Sequence, residues 1–213
     1  MSLKAILFDF DGTLADTAPG IVLTIWRAFR EEGLPEPSEA AVRQTIGLPL
    51  QESIRLLGGL DDEAAARTAA TYRRFFPECE LTHITIFPEV AETLRELVGR
   101  GLRLAICTSR GRDSLEDILR IHGLLDCFET FVTASDALPS KPAPDMVLTL
   151  LARLGISAPE ALVVGDTTFD IEMGARAGCP TCAVTYGNHS ADQLASACPT
   201  FTISRFSALL SCL

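Results

Sequence analysis

The sequence predicts an α/β protein: a doubly wound parallel sheet with helices on both faces, interrupted once by a helical insertion. Two observations carry this expectation. Short apolar runs alternate with amphipathic stretches, as strands buried on both faces of a parallel sheet do. Between Asp16 and about Ile84 that pattern stops, and only helical periodicity follows. Strands are read near residues 4–9, 102–108, 129–133, 161–165 and 181–185, with a weaker one around 200–204. The insertion holds helices near 19–32, 38–45, 50–57 and 61–76, and Trp26 and Phe29 are expected in its core. Its hinges fall in Thr13–Thr17 and Thr82–Phe87, and Pro88 is expected to start the helix that returns the chain to the sheet. The expected division is a core of residues 1–15 and 86–213 and an inserted unit of residues 16–85.

Ile6-Leu7-Phe8-Asp9-Phe10-Asp11-Gly12-Thr13-Leu14 says most about chemistry, because it runs an apolar strand into two carboxylates one residue apart. Open α/β sheets place ligands at the carboxyl ends of their strands, which is where Asp9 and Asp11 fall. With a period of two, both side chains leave the chain on one side, so one can attack a substrate while the other moves a proton. An aspartate-rich turn is the plain alternative. Three further segments weigh against it. The run ending Cys107-Thr108-Ser109 closes on two hydroxyls able to donate to a phosphate. Lys141-Pro142-Ala143-Pro144 sets a lysine just ahead of a helix. Leu162-Val163-Val164-Gly165-Asp166 is another strand closing on a carboxylate, and a helix starting behind it would put Asp170 on the face of Asp166.

Composition bounds the function. A chain of 213 residues with net charge −10 is unsuited to a broad nucleic-acid or anionic-membrane surface. Lys4 and Lys141 are the only lysines among 18 basic residues, which singles out Lys141. The seven cysteines are scattered and odd in number, as buried thiols in a reducing compartment would be. Cys179-Pro180-Thr181-Cys182 has redox spacing but sits in a turn between helix and strand, and a structural role is expected. With neither a membrane-length apolar stretch nor a signal-peptide pattern, the expectation is a soluble cytoplasmic protein, a monomer or homodimer.

Taken together, these segments resemble the four motifs of the haloacid dehalogenase superfamily. DFDGTLADT matches the first, Thr108-Ser109 the second, Lys141 in SKPAP the third, and Gly165-Asp166-Thr167-Thr168-Phe169-Asp170 the fourth. The resemblance covers almost the whole chain, and it implies a Rossmann-like core with an α-helical cap inserted after the first motif. DFDGTLADTAP and Ile46-Gly47-Leu48-Pro49-Leu50 are most similar to the phosphoglycolate phosphatase branch with its pyrophosphatase and sugar-phosphatase neighbours.

The resemblance implies that Asp9 is a nucleophile forming an aspartyl phosphate and that Asp11 protonates the leaving group and then activates water. It implies Mg²⁺ held by Asp9, Asp166 and Asp11, the last through its backbone carbonyl, with Asp170 at the side. Gly12, Thr108, Ser109 and Lys141 would hold the phosphate. Asp11 also separates this chain from dehalogenases, whose leaving halide needs no proton. The lysine-free segment 16–84 removes the phosphonate-cleaving branch, which needs a cap lysine. Substrate choice is expected in the cap, with Arg43, Thr45, Gly47 and Leu48 as candidate contacts and a small phosphorylated metabolite as the partner. A phosphomutase of the β-phosphoglucomutase type would share every core motif, and a receiver-like phospho-acceptor is the remote rival.

Overall fold

The computed structural model describes residues 3–213. It has eight strands: β1 (Ala5–Phe8), β2 (Ala15–Asp16), β3 (Thr85–Ile86), β4 (Arg103–Cys107), β5 (Thr130–Val132), β6 (Ala161–Gly165), β7 (Thr181–Val184) and β8 (Phe201–Ile203). Six of them form one parallel sheet in the order β5-β4-β1-β6-β7-β8. The order reverses at β1, whose two neighbours are β4 and β6, so the switch point of a doubly wound sheet lies between β1 and β6.

Nine α-helices accompany the strands among the described residues: α1 (Ala18–Glu31), α2 (Glu39–Thr45), α3 (Leu50–Gly58), α4 (Asp62–Cys79), α5 (Val90–Gly99), α6 (Arg112–Ile121), α7 (Asp145–Leu154), α8 (Thr168–Arg176) and α9 (Ala191–Ser196). The two-residue period of the strands sorts their side chains into two cores. Ile6, Phe8, Leu104, Ile106, Leu162 and Val164 pack on one face with Leu94 of α5 and Leu115 of α6. Ala5, Leu7, Ala105, Cys107, Ala161 and Val163 pack on the other with Val147 and Leu150 of α7. The same alternation separates Cys182, on the first face, from Cys179, on the second, so the CxxC spacing brings no thiol pair together. Burial pushes Cys179 up to about 11 and Cys182 up to about 12, which leaves both as inert apolar fillers.

α1 to α4 build a third core of Val22, Ile25, Phe29, Val42, Ile54 and Ala69, with Trp26 packed at its edge. Ser38 and Asp61 start α2 and α4 by accepting the backbone N–H groups of Ala41 and Ala64. The helical segment joins the sheet domain through β2 and β3, an antiparallel pair in which Ala15 faces Ile86 and Asp16 faces Thr85. Each strand is two residues long, too short for a periodic signal, and the sequence reading missed both. Pro88 also departs from expectation. It lies in a turn, Glu89 follows with a φ of +66°, and the helix starts only at Val90. No helix among the described residues is long and apolar enough to cross a membrane.

The central strand sets the stability scale. Leu7 is fully buried between sheet and helices, and truncating such a side chain removes transfer energy and leaves a cavity. Leu7→Ala is expected to cost about 2–5 kcal/mol in urea unfolding. Leu148→Ala, at a side chain 48% exposed on α7, should stay within about 0.5 kcal/mol. Equal losses at the two positions would contradict this placement of the core.

Candidate active site

Asp9 follows β1 by one residue and Asp166 follows β6 by one, so the two strands flanking the switch point deliver their carboxylates side by side. Asp170 arrives from the first turn of α8. Thr167 caps that helix, and Asp170 closes the capping box by accepting the Thr167 N–H at 3.0 Å and its hydroxyl at 2.6 Å through Oδ2. One oxygen each from Asp9, Asp166 and Asp170 lies within 4.8 Å of the others, and all three residues are buried.

Lys141, also buried, is wedged among them. Its Nζ donates to Asp9 Oδ1 at 2.6 Å and to Asp170 Oδ1 at 2.7 Å. Asp166 is held by neutral donors instead. Thr13 Oγ1 donates to its Oδ1 at 3.0 Å, and the Asn188 backbone N–H and Nδ2 donate to its Oδ2 at 2.7 and 2.9 Å. Gly12 makes this crowding possible: its φ is +89°, and a Cβ there would lie 2.2 Å from Asp166 Oδ2.

Three carboxylates around one ammonium leave an excess of negative charge in a desolvated space. Burial, reinforced by Asp170, raises Asp166 to about 7. Burial raises Asp9 well above the usual carboxylate range, against the pull of Lys141. Burial works against the Lys141 ammonium, but Asp170 and Asp9 outweigh it and keep that group protonated. Asp9 Oδ2 is buried with no hydrogen-bond partner. An all-oxygen donor set, surplus negative charge and an orphaned carboxylate oxygen fit a hard divalent cation.

Asp9 and Asp11 line a cavity of about 780 Å³ together with Thr108 on the sheet side. The helical segment supplies its opposite wall, including Ile21, Ile46, Leu48 and Phe76. That wall is seated on the sheet domain. Ser109 Oγ donates to the Gly47 carbonyl at 2.6 Å, and Gln193 Nε2 donates to Gln44 Oε1 at 3.1 Å.

Several predicted residues meet partners other than those expected. Ser109 lines the cavity, and its hydroxyl is engaged with the Gly47 carbonyl. The Gly12 N–H closes its own turn onto the Ala15 carbonyl at 2.8 Å. The Lys141 ammonium faces Asp9 and Asp170. The Asp11 carboxylate stands outside the three-aspartate cluster, while its carbonyl accepts from Asn188 Nδ2 at 3.5 Å. Thr45, Gly47 and Leu48 line the cavity as expected of a specificity loop, but Arg43 does not, being paired with Glu39 one turn earlier at 2.9 Å. Arg73 of α4 lines the cavity in its place.

Two groups of residues were missed. Asn188 sits in the loop after β7, where nothing in the pattern marks it. Arg110 directly follows Thr108-Ser109, a position that was itself the available signal. Its guanidinium donates to both oxygens of Asp11 and, at 2.5 Å, to Glu80.

The family model of haloacid dehalogenase-like hydrolases matches residues 6–184. The protein IndB of Dickeya dadantii, described as a probable phosphatase, is 36% identical over 209 residues, covering 96% of this chain and 91% of IndB. A phosphoglycolate phosphatase of Yersinia pseudotuberculosis is 30% identical over 214 residues, covering 98% and 92%. The solved structure of a haloacid dehalogenase-like hydrolase from Bacteroides fragilis superposes with a TM-score of 0.93 at 29% identity, covering 98% of this chain and all of that one. The chain belongs to the haloacid dehalogenase-like hydrolases.

The raised aspartates give a pH signature. An unfolded aspartate titrates near 3.9, whereas Asp166 in the fold titrates at about 7. Between these values the folded chain binds more protons than the unfolded one, so without metal this contribution to stability is lost as pH rises through about 7. A cation bound at these carboxylates would take the place of the proton. The rise in Tm on adding Mg²⁺ should therefore be larger at pH 8 than at pH 6, and Asp166→Asn should remove most of that difference. Equal rises at both pH values would contradict the assignment.

Proposed function

We propose that this chain is a Mg²⁺-dependent phosphatase that hydrolyses a small phosphate monoester through an aspartyl phosphate on Asp9. The observation that carries the reading is the state of the Asp9 carboxylate at the cavity wall. Lys141 holds Oδ1, while Oδ2 is buried without a partner. One oxygen is thus fixed and the other is free to engage an electrophile or a cation. That IndB is described as a probable phosphatase and the Yersinia pseudotuberculosis relative as a phosphoglycolate phosphatase supports the same class.

In this reading Asp9 attacks phosphorus as the bond to the ester oxygen breaks, and Asp11 gives its proton to the departing alkoxide. Asp11 then takes a proton from water, whose oxygen attacks the phosphorus of the aspartyl phosphate. Inorganic phosphate leaves, and both carboxyl groups return to their starting states. Thr108 has the geometry to assist: its backbone N–H is spent on Val132 and its Oγ1 accepts the Arg110 N–H, which leaves the hydroxyl proton for a phosphate oxygen. Mg²⁺, held by Asp9 and Asp166 with Asp170 beside them, would supply neutralisation of the phosphate's charge. Lys141 keeps the nucleophile oriented and cancels part of the surrounding negative charge.

Residues 16–85 act as the cap, with β2 and β3 as the paired hinge and the Ile46–Leu48 segment as the part presented to the substrate. The cavity is about 780 Å³, within the range that holds small-molecule ligands.

Phosphate release should be measured on phosphoglycolate, pyrophosphate and a set of sugar phosphates, with and without Mg²⁺. Chelation and Asp9→Asn should each bring release to background. Asp11→Asn should lower kcat for alkyl esters by about 10²–10⁴-fold, the usual weight of general acid–base assistance. Full activity in Asp9→Asn would overturn the mechanism.

A further inference from the structure

Asp11 is part of a buried chain of charges and hydrogen bonds that crosses from the sheet domain to the cap. Arg110 Nε donates to both Asp11 oxygens at 3.1 Å, and Nη2 makes a closer contact with Oδ1. The same Nη2 donates to Glu80 Oε1 at 2.5 Å, and Glu80 Oε2 accepts from the Tyr72 hydroxyl. The Arg110 side chain is 7% exposed and that of Glu80 is fully buried. The guanidinium carbon lies 5.8 Å from the ring centroids of both Phe10 and Phe76. Glu80 in turn has little freedom, since its backbone closes α4 against Gly20, where an added Cβ would lie 2.9 Å from it.

The chemistry of this arrangement is specific. A guanidinium is a rigid planar fork, so fixing it on one side sets the orientation of a carboxylate on the other. Glu80 and Tyr72 belong to the cap, whereas Arg110 and Asp11 stand on loops after β4 and β1. We infer that Arg110 is a positioning residue: held by Glu80 and Tyr72 of the seated cap, it aims the Asp11 carboxylate, which takes up the proton brought by the monoanionic ester and passes it to the leaving-group oxygen. Asp11 is then aligned only while the cap holds Glu80 against Arg110. This deepens the phosphatase reading and rests on it.

The role is tested through the leaving group. An alkoxide needs the proton that Asp11 delivers, whereas 4-nitrophenolate departs without one. The value of kcat/KM reports steps up to the first irreversible one, so later hydrolysis of the aspartyl phosphate does not blur the comparison. For Glu80→Gln and Arg110→Lys, the ratio of kcat/KM for an alkyl phosphate over 4-nitrophenyl phosphate is expected to fall at least tenfold. In Glu80→Gln the loss should lie in kcat, with KM for the alkyl ester within twofold. Tyr72→Phe leaves every charge in place and should shift the ratio in the same direction by a smaller factor, which keeps the test open should both charge variants fail to fold.

A merely structural lesion lowers both esters together. An unchanged ratio in the folded variants would overturn the inference while leaving the phosphatase reading intact. Failure of the unaltered protein with Mg²⁺ to release phosphate from either ester would overturn both.

Discussion

A single buried ammonium organises this molecule. Lys141 reaches into the gap between the ends of β1 and β6 and bonds Asp9 and Asp170 at 2.6 and 2.7 Å with no exposed side-chain surface. Removing one partner from such a cluster costs about 3–5 kcal/mol, because the remaining charges stay buried and uncompensated. The neighbouring features follow from it. Asp170 can sit so deep because Thr167 satisfies one oxygen and Lys141 the other. Asp166, with no cation of its own, takes three neutral hydrogen bonds and still rises to about 7 through burial and the nearby Asp170. One positive charge does not balance three carboxylates, and in the proposed reading a metal ion would make up this deficit.

The fold supplies this geometry cheaply. Adjacent parallel strands in register bring Phe8 beside Val164, so the residues just beyond them meet without any long loop. Both faces of the sheet are covered, which leaves the carboxyl ends as the open side. The helical segment covers that end, tied back through Ser109 to Gly47 and through Arg110 to Glu80. In the proposed reading chemistry and specificity are divided between the sheet, which carries the aspartates, and the helical segment, which presents Thr45, Gly47, Leu48 and Arg73 to the cavity.

What the sequence made legible follows the same division. The six sheet strands were readable because each is a short apolar run ending in a polar group; Asp9 and Asp166 were readable because they follow strand ends, Asp170 because helical spacing puts it on the face of Asp166, and Lys141 because it precedes a helix in a chain with only two lysines. The β2–β3 pair was not, since two residues carry no period. Arg43 and Arg73 look alike as helix arginines, and only the fold shows that Glu39 occupies the first while the second lines the cavity. Arg110 and Glu80 are 30 residues apart, and each reads as an ordinary surface charge until packing buries them together. The Ser109 hydroxyl was read as a donor to phosphate, and only the fold shows that it also ties the Gly47 carbonyl to the end of β4.

The account depends most on Asp9 accepting the phosphoryl group. The most direct measurement is acid quenching of the enzyme during turnover of a substrate labelled in its phosphoryl group, followed by peptide mapping, since acyl phosphates survive acid long enough to be located. Label confined to the peptide that carries Asp9, and absent from Asp9→Asn, is the predicted result. Rapid release of labelled phosphate with no label on the protein at any quench time would contradict it and would point to direct attack by water.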